Sequence, residues 1–400
     1  MAPGRRLVDN RAVPRDSPGV ALVLAGGGAR GAYEIGALSV LLPVLEQRGE
    51  RPEVIIGTSV GAINASFLAA TAGDSVEESL ERARAMWERM EWEDVLAPLL
   101  SPGELARLGA LVIPGARVWG LLDPAPLAKT LRERVPLRRI RVNVAKGTLT
   151  AVAVVATSVE GSTSVVFHDG PGRVKNDRGR GIEYERTRLL ESHVRASAAI
   201  PGVFPAVRVE SPRPRAGWYY DGGTRLNTPI KPALELGGKR VIVIALNALR
   251  SGGMRGRPEA LDGATQIVQA LLVDPLVHDV RTLASINEII RGRGPAQDAS
   301  AAKHKQVPYI LIAPRSPNEI GEAASRVYQR HYAGVRRAAS SVSILGRFLR
   351  AGSNASRGEL LSYLFFAREF AQSLIERGEN DARRWLARKH DEGPWRLGRP

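Results

Sequence analysis

Val20-Ala21-Leu22-Val23-Leu24-Ala25-Gly26-Gly27-Gly28-Ala29-Arg30-Gly31 is the stretch that decides the fold of this chain. A short apolar run with no polar face is the pattern of a strand buried on both sides. The glycines end it, and residues 32–47 follow with Ile35, Leu38, Leu41, Leu42 and Leu45 at helical spacing, closed by Gly49. Strand, glycine turn and helix make one α/β unit. The unit then repeats: residues 54–57 form a second apolar run, Ser59 stands on the turn, and residues 62–72 read as a helix with Gly73 at its C-cap. Two such units in succession predict a largely parallel sheet whose functional turns lie at the C-terminal ends of its strands. Both glycine motifs should therefore share one sheet edge.

Working outward, residues 150–158 and 162–168 are β-rich runs around a Glu160-Gly161 turn and predict a hairpin. Residues 170–181 are rich in Gly and Arg without periodicity and predict a mobile loop. A helix is expected over 188–199, stopping before Pro201. Residues 218–220 lead as a strand into Asp221-Gly222-Gly223, and 240–246 is a further buried strand. Beyond it, 248–263 and 291–306 read as loops, 307–313 as one more strand, and 322–349 and 359–386 as long helical patterns. The expected organisation is an N-terminal tail over 1–19, a catalytic domain over 20–231, and a remainder over 232–400 that completes the sheet and adds a helical extension.

The 400 residues, 44% apolar and 24% charged, are enough for a globular protein with a sizeable core. The absence of cysteine excludes disulfides, thiolate metal sites and a cysteine nucleophile. A net charge of +16, with Arg-rich stretches at 132–141 and 173–180, attracts nucleic acid or anionic lipid headgroups and does not by itself separate them. Solvated surface charge is the plainer account. Residues 1–18 are basic and lack the apolar core of a signal peptide, and no uncharged apolar run reaches the roughly 18 residues of a membrane span. The expectation is a cytoplasmic protein, peripheral at the inner face of the membrane.

Gly57-Thr58-Ser59-Val60-Gly61 has the form required of a serine nucleophile. The hydroxyl clears the backbone on a tight strand-to-helix turn only if small residues stand two before and two after it, and the following helix N-terminus favours negative charge. The earlier glycine run has two readings. As a dinucleotide fingerprint it needs an acidic residue at the end of the next strand, where this chain has Gly57-Thr58-Ser59. As an oxyanion hole, Gly26, Gly27, Gly28, Arg30 and Gly31 supply a donor loop, with Arg30 steadying a phosphate-bearing substrate. The better reading is the oxyanion hole. A base is also required. None of His168, His193, His278, His304, His331 or His390 stands in a glycine-turn or strand-end context. Asp221 ends a strand, and Gly222 and Gly223 let its carboxylate approach another loop closely. To act as base it must be buried, raised in pKa and hydrogen-bonded to Ser59.

Those three motifs, together with Ala196-Ser197-Ala198-Ala199-Ile200-Pro201-Gly202-Val203-Phe204-Pro205, Asn227, Pro229 and the run 240–246, resemble the patatin-like phospholipase family over residues 20–231. Residues 360–386 resemble the C-terminal helices of bacterial members. The resemblance implies a three-layer α/β/α fold with a mostly parallel central sheet and a helical C-terminal extension. It further implies metal-free and cofactor-free hydrolysis of carboxylic esters of phospholipids or related lipids, with an acyl-enzyme on Ser59 and Asp221 as proton acceptor. No calcium loop of alternating carboxylates occurs. An acyltransferase on the same pair, or a catalytically weak lipid-binding or nucleic-acid-binding protein, is the alternative. Lipid esters and anionic membrane surfaces are the expected partners, in preference to nucleic acid. Residues 327–349 interleave apolar residues with arginines and suggest a helix lying on a bilayer, against the reading of a core helix whose arginines snorkel to water.

Overall fold

Every residue of β1 (Val20–Leu24) and β2 (Val54–Thr58) is buried, as their unbroken apolar runs predict. The computed structural model describes residues 19–110, 113, 115, 117–249, 287, 306–334, 337–349 and 355–398. Helix α1 (Ala32–Gln47) follows β1 and α2 (Val60–Thr71) follows β2, so the two predicted units form as read. The hairpin is β3 (Ala151–Ser158) and β4 (Ser164–Asp169), paired antiparallel. Strand β5 (Ile182–Arg186) pairs with β4, and β6 (Val207–Val209) with β7 (Gly217–Asp221). Strands β8 (Arg240–Ile244) and β9 (Tyr309–Ile312) complete a sheet of order β5-β4-β3-β2-β1-β8-β9. Pairings from β3 through β2, β1 and β8 to β9 are all parallel.

The register at the end of β2 builds the site. Thr58 pairs with Val155 of β3, and the next residue of β3, Ala156, pairs with Asp221 of the antiparallel β7. Strand β7 thus takes over beside β3 where β2 stops, and delivers its last residue to the turn that follows Thr58. Gly222 then turns away with its α-carbon against the Val155 carbonyl and the Thr58 side chain, where a Cβ would collide.

Residues 73–150, unassigned from sequence, hold α3 (Val76–Glu88), α4 (Trp92–Val95), α5 (Pro102–Ala110), α6 (Ala125–Arg134) and α7 (Arg138–Ala145). A capping box of Ser75 and Glu78 opens α3 and was the available signal. The helix expected over 188–199 is shorter, α8 (Glu191–Ser197), and α9 (Ile230–Glu235) packs on β1, β2 and β8. The loop 170–181 is irregular but anchored: Asp177 pairs with Ile182 through the backbone and with Lys231 through an ion pair.

The long C-terminal helical patterns are a correction. They resolve into α10 (Glu319–His331), α11 (Ser341–Phe348), α12 (Ala355–Leu364) and α13 (Arg368–Leu386). Helix 327–349 does not exist as one amphipathic rod, because α10 ends at His331 and Ser340 caps a new helix. Val342 and Leu349 are buried in the core, which favours the reading of core residues with snorkelling arginines over that of a bilayer face. Helix α13 packs along α1 with Phe370, Leu374 and Ile375 buried and Tyr33 Oη donating to Asp381 at 2.7 Å. The extension shares the core of the α/β part. The loops expected over 248–263 and 291–306 fall outside the described residues except at 248, 249 and 306. Among the described residues no helix is long and apolar enough to cross a membrane.

Candidate active site

Ser59 occupies a backbone conformation that side chains avoid, φ 56° and ψ −124°, between β2 and α2. Strain of this kind costs on the order of 1–3 kcal/mol and persists only where the surroundings impose it. Here they do. A Cβ on Gly57 would enter the Gly61 carbonyl, and one on Gly61 would enter the carbonyls of Leu24 and Ala25, so β1, β2 and the first turn of α2 interlock through bare backbone. The turn is also held from outside: Ser59 N donates to Ser197 Oγ at 2.8 Å, and Thr58 Oγ1 donates to the Leu226 carbonyl at 3.0 Å.

Ser59 Oγ donates to Asp221 Oδ2 at 2.6 Å. Asp221 Oδ1 accepts from Gly223 N at 2.7 Å, which fixes the carboxylate plane. Its backbone is fixed too, with Asp221 N on the Ala199 carbonyl at 2.8 Å and the hydroxyls of Thr157 and Thr224 on its own carbonyl at 3.1 and 2.9 Å. Both side chains are buried, Ser59 at 4% and Asp221 at 3% exposure. Burial pushes the Asp221 carboxyl up to about 7, against the pull of its bonds from Ser59 and Gly223. The sequence requirement of a buried carboxylate with raised pKa, bonded to Ser59, is met in the geometry.

The histidines lie elsewhere. His193 Nδ1 accepts from Leu190 N at 2.9 Å and its Nε2 meets the Ser211 carbonyl at 2.6 Å, an arrangement suited to the neutral ring; burial lowers it to about 4. His168 is buried in β4 and lowered to about 4 by burial and by Arg186. His390 stacks on Trp385, His331 ends α10, and His278 and His304 are outside the described residues. Among the described residues no histidine hydrogen-bonds Ser59 or Asp221, and no group of acidic residues and histidines is arranged to hold a metal ion.

The glycine loop divides in a way the sequence did not show. Gly26 abuts Ser59, and its N–H donates to Asn227 Oδ1 at 3.0 Å, which removes it from the free donors. Gly27 lies against Leu246, and Gly28, at φ +59°, lies against the Tyr363 carbonyl. The N–H groups of Gly27 and Gly28 have no protein acceptor among the described residues. Gly31 packs on Val60 and Trp87, with its carbonyl taken by Asn64 Nδ2 at 3.0 Å. Asn64 also binds buried Glu34 at 2.8 Å and Trp87 Nε1 at 2.9 Å, bracing α2 against the loop; burial raises the Glu34 carboxyl well above its ordinary range.

Arg30 is the second correction. Expected at the substrate, its side chain is 1% exposed and points into the protein. Nε donates to Ser362 Oγ at 2.9 Å, Nη1 to Asn247 Oδ1 at 2.7 Å and the Leu246 carbonyl at 3.3 Å, and Nη2 to the Glu359 carbonyl at 3.2 Å and the Glu359 carboxylate. Its donors are saturated and none is left for a phosphate. Ser197, Asn64 and Thr157 were not singled out from sequence. Ser197 and Asn227 lay inside the segments that carried the family resemblance, whereas Asn64 and Thr157 carried no local signal.

The fold is an α/β architecture in which a strained serine on a strand-to-helix turn is bonded to a buried carboxylate at the C-terminal edge of a mostly parallel sheet. The patatin-like phospholipase family model matches residues 22–234, and the chain belongs to that family. Uncharacterized NTE family proteins of Mycobacterium bovis and Mycobacterium tuberculosis are 28% identical to it over 239 residues, 60% of this chain and 52% of theirs. The chain spans about half the length of these relatives. VipD from Legionella pneumophila aligns over 75% of this chain and 62% of its own, at 16% identity and a TM-score of 0.32. Human GIVD cytosolic phospholipase A2, solved with methyl gamma-linolenyl fluorophosphonate, aligns over 92% and 59%, at 13% identity and a TM-score of 0.33.

Proposed function

We propose that this protein is a lipid acyl hydrolase that cleaves carboxylic esters of phospholipids or related lipids through an acyl-enzyme on Ser59. The observation that carries the reading is the 2.6 Å bond from Ser59 Oγ to a buried Asp221 whose pKa is raised to about 7. A carboxylate near its ordinary pKa is a weak base; one near 7 is matched to neutral pH and still ionised in a useful fraction. Ser59 Oγ attacks the ester carbonyl carbon as its proton passes to Asp221 Oδ2. In this reading the N–H groups of Gly27 and Gly28, which have no protein acceptor among the described residues, and the N-terminus of α2 take up the negative charge that develops, each donor worth about 3–4 kcal/mol in such a site. Collapse of the tetrahedral intermediate expels the alcohol, which takes the proton from Asp221. Water then gives a proton to Asp221 and attacks the acyl-enzyme, and Ser59 regains its proton as the fatty acid leaves.

A lipid ester sits in an interface, and we read the exposed apolar residues as the means of reaching it. Trp119 is 75% exposed, and Leu100, Leu105 and Leu121 are exposed on the same excursion between α4 and α6. The neck of that excursion is closed by Ala97 N on the Asp123 carbonyl at 2.9 Å and by Arg107 with Asp123 at 3.2 Å. Leu121 N bonds the Gly202 carbonyl at 3.2 Å, in the loop that leads from Ser197 and Ala199 at the site. With exposed Arg117 alongside and a net charge of +16, an anionic bilayer is the surface this face fits, at the inner leaflet of a cytoplasmic protein.

The test is covalent labelling of the full chain by a fluorophosphonate, followed by turnover of phospholipids, lysophospholipids, triacylglycerols and short-chain esters by wild type and Ser59→Ala in parallel. Labelling at Ser59 with activity lost in Ser59→Ala is expected. Undiminished turnover in Ser59→Ala would overturn the reading.

A further inference from the structure

The C-terminal helices meet the glycine loop through a buried charge pair. We propose that Arg30 and Glu359 are positioning residues of the reaction, through which α12 sets the direction of the Gly27 and Gly28 N–H groups. The proposal rests on the hydrolase reading and assigns to the C-terminal extension a part in the same centre.

The loop has few ways to hold its own shape. Three successive glycines impose little on φ and ψ, and the N–H groups of Gly27 and Gly28 find no acceptor among the described residues that would fix their direction. Within the loop one turn, Arg30 N on the Gly27 carbonyl at 3.2 Å, holds residues 27–30 together, and the rest of the restraint comes from neighbours. The backbone of Gly28 is pressed on the Tyr363 carbonyl of α12 so closely that a Cβ would collide, and Gly27 rests on Leu246 just beyond β8. Two residues on, Arg30 binds Ser362 and Glu359 of α12 and Leu246 and Asn247 after β8. The guanidinium also lies over the Tyr363 ring, 3.9 Å from its centroid. One cation thus gathers both neighbours against the loop.

Glu359 extends the brace. Its Oε2 takes Arg30, and its Oε1 accepts from Gly321 N of α10 at 3.1 Å, so a single carboxylate joins α10 to the loop. Both members of the pair are almost wholly buried, at 1% and 2% side-chain exposure. Removing one partner leaves an uncompensated charge inside the protein, whereas replacing both by apolar residues of similar size is often tolerated. The pair is therefore better explained by what it orients than by what it adds to stability. An oxyanion donor works only when aimed at the atom that becomes charged, so a small rotation of Gly27 or Gly28 loses rate without affecting how substrate binds.

The experiment uses the full chain, with Glu359→Gln and the doubly apolar Arg30→Met/Glu359→Leu beside wild type. Fluorophosphonate labelling run to completion counts the competent Ser59 sites, and steady-state kinetics on a soluble short-chain ester give kcat per labelled site and KM. Amide exchange of the peptide containing residues 26–31 reads the loop independently of turnover. The expected result is kcat per labelled site lower by roughly tenfold or more in both variants, the scale of a misaimed oxyanion donor, with KM within about twofold. Exchange across 26–31 should be faster in both. A fall in the labelled fraction or in Tm with kcat per labelled site unchanged would reduce the pair to a structural role and overturn the proposal, as would unchanged exchange in the loop. Failure of the hydrolase reading looks different: wild type would not label at Ser59, while the exchange difference would still report on the brace.

Discussion

The two strand–turn–helix units at the start of the chain and the helices at its end are built by different rules. In β1-α1 and β2-α2, Gly57 and Gly61 stand where a neighbouring backbone already fills the space and Gly26, Gly27 and Gly31 where side chains do, and the local pattern is enough to predict the outcome. In α10 to α13 the pattern of apolar residues was read as two rods, and the chain forms four helices instead. Helical periodicity reports that a segment can be helical; it does not report where packing will break it. The break between α10 and α11 is fixed by contacts across the bend, with Ser343 Oγ donating to the Tyr332 carbonyl at 2.7 Å and Tyr328 Oη to the Ser343 carbonyl at 3.3 Å.

The comparison can be broken most severely at the turn itself. Ser59→Ala should lower esterase activity by roughly 10³-fold or more, and Asp221→Asn nearly as far, with the double variant no worse than either because the two act as a unit. Steady-state rates on a short-chain ester check it, and additive losses would separate the two residues. Single replacements of His168 or His193, corrected for folded protein by fluorophosphonate titration, should retain most of the rate.

Gly57→Ala and Gly61→Ala come next. Each drives a methyl group into backbone that has nowhere to move, so a loss of several kcal/mol is expected, at the upper end of what single substitutions cause. Glu322→Ala, on an exposed face of α10, should change stability by no more than about 0.5 kcal/mol. Chemical denaturation of the three variants would show whether the turn and the extension differ as sharply as their packing implies.

A pH series sharpens the contrast at Asp221. Its carboxyl is raised from 3.8 to about 7 in the folded protein, so the unfolded chain releases the proton first. The resulting stabilisation is complete below about pH 4 and is lost as pH rises towards 7. Asp221→Asn lacks this penalty. Relative to wild type it should gain roughly 2–4 kcal/mol between pH 4 and pH 8, measured by denaturation at each pH. Catalysis runs the other way, with kcat/KM in wild type climbing about tenfold per unit below pH 7 as the base ionises. A flat profile through that window would remove Asp221 as the base.

The smallest functional effect expected is at the surface. Trp119→Ser should weaken co-sedimentation with anionic vesicles by severalfold, and raising salt should weaken it further, since each basic group near such a surface contributes about 1 kcal/mol. Equal binding to neutral vesicles, or none at all, would leave the excursion without that role.

Much of the centre was legible from local pattern. The buried parallel strands, the serine between two obligatory glycines and the carboxylate at the end of a strand all follow from which residues tolerate a tight turn and which bury without a polar partner. The lack of a histidine in a comparable context pointed the same way. Tertiary structure alone decided the rest. It spliced β7 onto the end of β2, supplied Ser197 and Asn227 as partners of the two turns, and turned Arg30 from the substrate towards Glu359, 329 residues further along the chain. The physical reason is that a backbone turn is dictated by its own few residues, whereas the destination of a long charged side chain depends on which partner the fold brings within reach, and its burial is possible only once that partner has arrived.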